Sequence, residues 1–190
     1  VLSNPAKVLS RFLTLEVTDH LFQVGPRSFD LAAFNIQRGR DHGLPPLNHF
    51  RRFCGLPQLT SFYNQEFGSF GPQLAQIYDS IDDVDVFSGG LLEKPYPGSA
   101  LGPTFSCIIA SQFRDLKNGD SFFYETQDSK RGFTDEQLKA IQDTTFASLI
   151  CNEMDREFIQ INPFRIPTKY NPLIKCEHFT KLDLKPWYNI

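Results

Sequence analysis

DLAAFNIQRGRDHGLPPLNHFRRFC, residues Asp30–Cys54, opens with apolar Leu31, Phe34 and Ile36, a spacing that predicts a helix packed on one side. Its second half breaks that pattern, because Asn35, Gln37, Arg38, Arg40, Asp41 and His42 crowd hydrogen-bonding groups into eight positions. Gly43 and the pair Pro45-Pro46 then stop the helix and turn the chain. At about 100° per residue, Asn35 and Arg38 share a face, and Gly39 falls on the same face without a side chain. Arg40 points away from them. A neutral amide and a guanidinium beside a bare backbone position suit a planar anionic ligand. A salt-bridged helix end with no ligand fits the same pattern, and spacing alone leaves both readings open.

Working outward, 190 residues allow one domain with a sizeable core, and 41% hydrophobic content with 19 Phe indicates a packed globular chain. A formal charge of −3 with scattered basic residues gives no support for binding nucleic acid or another polyanion. No apolar run approaches the roughly 20 residues of a transmembrane helix. The sequence starts without Met or a signal-peptide pattern, so targeting information is expected elsewhere. Cys54, Cys107, Cys151 and Cys176 lack CxxC spacing, which disfavours zinc. They allow three disulfide connectivities, or four free thiols in a reducing compartment.

Pro5 and the series Val8, Leu9, Phe12, Leu13, Leu15, Val17, Leu21 and Phe22 predict a buried first helix ending before Gly25-Pro26. Leu47, Phe50 and Phe53 predict a short helix with Arg51 and Arg52 on a solvated face. A helix over Pro72–Asp79, with Leu74, Ile77 and Tyr78 inward, precedes the acidic turn Asp82-Asp83-Val84-Asp85, which reads as solvated loop rather than a calcium site. Gly89-Gly90 and Pro95, Pro97 and Gly98 read as extended loop.

A strongly buried helix is expected over Pro103–Lys117, stopped by Asn118-Gly119, and then a short extended aromatic segment through Phe122, Phe123 and Tyr124 that packs in the core. Thr134 and Gln137 form a capping box for a helix with Leu138, Ile141 and Phe146 inward. Pro163, Pro167, Pro172 and Pro186 exclude long helices from a tail tied down by Cys176 and Trp187. His20, His42, His49 and His178 make no metal-binding pair by spacing, and no metal site is expected. GxSxG, GxxxxGK[ST] and HExxH motifs do not occur, nor does an Asn-x-Ser/Thr sequon.

The segment LAAFNIQRGRDHGLPPLNHFRRFCGLP resembles the signature stretch of the animal haem peroxidase family. The likeness continues through VDVFSGGLLEKPYPGSALGPTFSCIIASQFRDLKNGDSFFYE and returns in LDLKPWYNI. Pro46 stands where many members have Gly, and FASLICNEMD replaces a more regular stretch. The resemblance implies a mainly α fold with long loops, in which residues 1–190 are the C-terminal part of one catalytic domain. Histidines that ligate the iron and cleave peroxide, the calcium loop and the haem-esterified carboxylates are then expected upstream, in the N-terminal remainder of the domain. That remainder is the partner this segment would need.

By the same resemblance, Asn35 is the catalytic and cofactor-binding residue that accepts a hydrogen bond from the proximal histidine, and Arg38 binds a haem propionate. The pairing implied is Cys54 with Cys107 and Cys151 with Cys176, each bridge stabilising the fold by roughly 3 to 4 kcal/mol. The expected function is reduction of hydrogen peroxide with oxidation of halide, thiocyanate or phenolic donors, in a secreted protein or a secretory granule. The segment alone is expected to be inactive, with haem held through an iron ligand outside it and calcium bound elsewhere. Two other readings are a haem-free adhesion or scaffold module on the same fold, and a structural domain with no chemistry.

Overall fold

A computed structural model describes residues 12–128 and 130–188. Pro5, Val8 and Leu9 of the expected first helix lie outside the described residues. Among the described residues the fold is mainly α, with eight helices and four short strands. The chain divides into two compact units, whose described parts are residues 12–116 and residues 117–188.

In the first unit the expected buried helix is a single turn, α1 (Leu15–Thr18), followed by an antiparallel hairpin of β1 (Leu21–Val24) and β2 (Arg27–Phe29). Gly25, at φ +59°, supplies the reversal, and the strands satisfy each other's backbone groups across it. Phe22, Val24 and Phe29 are exposed, not buried.

The next helix, α2 (Leu31–Asp41), starts where Asp30 Oδ1 accepts from Ala33 N at 3.0 Å. It ends at Gly43, φ +66°, with Gly43 N donating to Arg40 O and Leu44 N to Gly39 O, both at 3.0 Å. Pro46 then leads into α3 (Leu47–Phe53).

Leu47, Leu59, Phe67, Leu74 and Val84 form the core of this unit. Asn48, also buried, satisfies both ends of its amide on Leu59: Nδ2 donates to the carbonyl at 2.9 Å and Oδ1 accepts from the amide at 2.8 Å. Arg51 corrects the expectation of a solvated face, since its side chain is 2% exposed and ion-paired with Glu93. Phe53, expected inward, is exposed. The predicted helix over Pro72–Asp79 is shorter, α4 (Gly71–Leu74), and Ile77 is 75% exposed. Nor is the acidic turn simply solvated: Asp82 accepts from Asn48 Nδ2 at 2.6 Å, and Asp85 holds Arg40.

Gly89 and Gly90 lie inside a helix, α5 (Val86–Leu92), and both are buried. A Cβ on Gly89 would stand 2.6 Å from Leu47 Cδ2, and one on Gly90 2.5 Å from the Phe105 ring, so the pair serves helix packing rather than loop freedom. The long helix α6 (Pro103–Gly119) is as expected in length but not in burial. Only Pro103 and Thr104 are buried, and Phe113 is 66% exposed. Cys54, at the end of α3, is bonded to Cys107 of α6 with Cα atoms 6.1 Å apart.

In the second unit, residues 120–125 form turns rather than an extended segment, because Asp120 Oδ1 accepts from Phe122 N at 2.8 Å and closes the chain locally. Phe122 and Tyr124 are exposed and do not pack in a core. The capping box at Thr134 and Gln137 opens α7 (Asp135–Gln142). A second box, Thr145 with Ser148, opens α8 (Phe146–Glu153), so Phe146 begins a new helix and is exposed. Ala147 and Ile150 of α8 pack on Ile159 of β3 (Phe158–Gln160), which pairs with β4 (Leu173–Lys175). Cys151 is bonded to Cys176 beside this core. The tail is held further by Trp187 edge-on to Phe133 and by Gln137 Nε2 donating to Pro186 O at 3.1 Å.

Candidate functional site

The single-face arithmetic of α2 places Asn35, Arg38 and Gly39 on one wall of a cleft of about 660 Å³ in the first unit. Ile36, His42 and Leu44 complete that wall, and Phe50 of α3 joins it. Facing them are Asp85, Val86 and Phe87 at the start of α5, with Phe105 and Ile108 of α6. The lining is thus mostly aliphatic and aromatic, and its polar groups are few and concentrated on α2, the usual pattern of a small-molecule site in which a few polar contacts fix orientation. A Cβ on Gly39 would meet only Leu44 Cδ1, at 3.7 Å, so the backbone of α2 is approachable there.

Arg40 leaves this face, as its position on the helix dictates, and reaches across to Asp85. Nε donates to Oδ1 at 3.0 Å and a terminal guanidinium nitrogen to Oδ2 at 2.7 Å. Tyr78 donates its hydroxyl to Oδ2 at 2.8 Å. The Arg40 fork holds the Asp85 carboxyl below its ordinary range against the opposing effect of partial burial, and the Tyr78 bond lowers it further. The same carboxylate raises Arg40, while burial foremost pushes the Tyr78 hydroxyl up.

His42, weighed in the sequence only as one of four unpaired histidines, also lines the cleft. Its Nδ1 lies 2.8 Å from Arg38 O, and since a carbonyl only accepts, Nδ1 is the donor. Asp85 was read as a loop carboxylate because its partner is 45 residues away. No local spacing signals such a pair. Among the described residues no group of three or more His, Cys, Asp or Glu is arranged to hold a metal ion.

Residues 1–164 match the family model described as Animal haem peroxidase. Peroxidase-like protein 3 of Lottia gigantea is 50% identical over 188 residues, covering 99% of this chain and 63% of that protein. Thyroid peroxidase of Rattus norvegicus is 36% identical over 196 residues, covering 98% of this chain and 21% of that protein. Among solved structures, peroxidase A from Dictyostelium discoideum superposes with a TM-score of 0.63 at 31% identity, over 81% of this chain and 28% of that one. The chain therefore spans less than two thirds of the length of each of these proteins.

Proposed function

The chain belongs to the animal haem peroxidase family, and from that premise we propose that residues 1–190 form the C-terminal part of a peroxidase catalytic domain whose α2 lines the proximal side of the haem. The observation that carries the reading is the placement of Asn35 and Arg38 on one wall of one cleft. The residues present fit the group. Leu44, Phe50, Val86, Phe105 and Ile108 suit the faces of a macrocycle, and the planar fork of Arg38 suits a propionate carboxylate.

Haem, when bound, would be the redox centre at which hydrogen peroxide is reduced and a halide, thiocyanate or phenolic donor oxidised. The chain's own residues orient and tune it. Asn35 Oδ1 accepts a hydrogen bond from the far ring N–H of the iron-ligating histidine, which the upstream part of the domain contributes. A neutral amide draws less negative charge onto that imidazole than a carboxylate would, which leaves the ferric/ferrous potential higher. Arg38 would hold one haem carboxylate and neutralise its charge.

Calcium belongs to the upstream part, and the two disulfides support a secreted or granule location. No described helix is long and apolar enough to cross a membrane.

In the full-length protein, Asn35→Asp is expected to lower the haem potential measured by spectroelectrochemistry. An unchanged potential would remove Asn35 from the proximal side. Absence of a Soret band from the purified wild-type protein would favour the haem-free scaffold reading instead.

A further inference from the structure

We propose that Arg40 is a positioning residue: through Asp85 it sets the separation between α2, which carries Asn35 and Arg38, and the start of α5, which forms the facing wall. The proposal rests on the haem-side reading of α2 and adds to it a side chain that touches no cofactor.

An exposed ion pair is ordinarily worth little, because water screens it and two long side chains lose freedom. This pair differs in geometry and in place. Two parallel hydrogen bonds, at 3.0 and 2.7 Å, make it a fork rather than a point contact. The Asp85 side chain is only 17% exposed, against 58% for Arg40, so its acceptor end is largely out of water.

A second donor, Tyr78, holds the same carboxylate, and Ser88 Oγ lies 3.2 Å from the Tyr78 hydroxyl. Asp85 is the N-cap residue of α5, yet its side chain makes no capping bond. Its acceptor capacity goes to another helix instead of its own.

The backbone on both sides of this contact is fixed as well. Pro46 and Asp85 form an antiparallel bridge, and Leu47 N donates to Val84 O at 2.8 Å. These bonds lie beyond the C-terminal end of α2 and hold the linker, while Phe34 of α2 stacks on Phe29 at the other end of the helix. Arg40, two residues from Arg38, adds a side-chain link from α2 itself to the start of α5. Asp85 also lines the cleft, so the fork joins two walls of one site rather than two arbitrary points on a surface.

Loosening the fork frees α2 to shift against α5 and weakens the hydrogen bond that Asn35 accepts from the ligating histidine. The imidazole then carries less negative charge and the ferric/ferrous potential rises. Asn35→Asp moves the potential the opposite way, which separates a positioning effect from a change of acceptor.

The test uses the full-length protein with Arg40→Gln, Asp85→Asn and Arg40→Lys, and Asn35→Asp as reference. Arg40→Gln and Asp85→Asn are expected to raise the potential, and Arg40→Lys, which keeps the charge but not the fork, to raise it less. Amide exchange across residues 31–41 is expected to be about tenfold faster in the first two, the change that follows a loss of about 1.4 kcal/mol in local stability. A lowered thermal midpoint with potential and exchange both unchanged, while Asn35→Asp still shifts the potential, would make the fork merely structural and overturn the proposal. An unmoved potential in Asn35→Asp as well would overturn the haem reading and the proposal together.

Discussion

Arg51 on α3 is ion-paired with Glu93, the residue that ends α5, and both side chains are almost fully covered. Thr104 donates to Glu93 twice, from its amide at 2.8 Å and its hydroxyl at 2.6 Å, and Arg51 Nε donates to Pro57 O at 2.8 Å. The carboxylate therefore joins α3, α5 and the first turn of α6, the three helices that stand behind the cleft. Such a pair contributes little against a well-packed apolar replacement, but removal of Glu93 leaves the Arg51 guanidinium buried with the longer contact to the part-exposed Glu66, at 3.6 Å.

Glu93→Ala should accordingly cost about 3 to 5 kcal/mol in a denaturant unfolding series, and the double change Arg51→Met with Glu93→Leu should recover most of it. A loss below about 1 kcal/mol for Glu93→Ala would mean that Glu66, 3.6 Å from Arg51, or water takes over the charge.

Gly90→Ala tests the packing of α5 on α6. Its Cβ would meet ring atoms of Phe105 at 2.5 to 2.8 Å, and Phe105 lines the cleft. The ring must give way, at a cost of about 1 to 3 kcal/mol by thermal or denaturant unfolding, and the cleft wall shifts with it. Shrinking the ring in Gly90→Ala with Phe105→Leu should restore part of the stability. Equal stabilities for the single and double variants would show that Phe105 is not the obstacle.

What was legible in the sequence was local. Gly43 and the Thr134–Gln137 box mark helix ends because each satisfies backbone groups within four residues of itself. The shared face of Asn35, Arg38 and Gly39 follows from helical geometry alone. The opposite wall was not legible, because Asp85 and Phe105 come from other helices far along the chain. Arg51 was misread for the same reason: its partner lies 42 residues away, and an arginine on a short helix looks solvated until that partner is found. Gly89-Gly90 carries the letters of a loop, and only the positions of Leu47 and Phe105 turn it into a packing site. The stripe Ile109, Phe113 and Leu116 has a helical period, yet period says nothing about whether a neighbour within the unit covers it.

The Arg40–Asp85 contact also predicts how stability varies in acid. Hydrogen bonding to Arg40, and then to Tyr78, holds the Asp85 carboxyl below its ordinary value of 3.8. A group depressed in the folded state contributes stability that is fully present above the unfolded value, about 3.9, and is lost as the pH falls through the folded value. Arg40, raised by its bond to Asp85, stays charged throughout that window, while Tyr78, raised foremost by burial, remains a hydroxyl donor. The stability gap between wild type and Asp85→Asn should thus be flat from about pH 7 to about pH 5 and close below about pH 4, as measured by denaturant unfolding. Taking the difference from the variant removes exposed carboxylates such as Glu125, which is also lowered, by its bond to Lys117. A gap that closes already near pH 6 would point to a histidine rather than to Asp85. One that persists to about pH 2 would show that the carboxylate is not what joins the two helices.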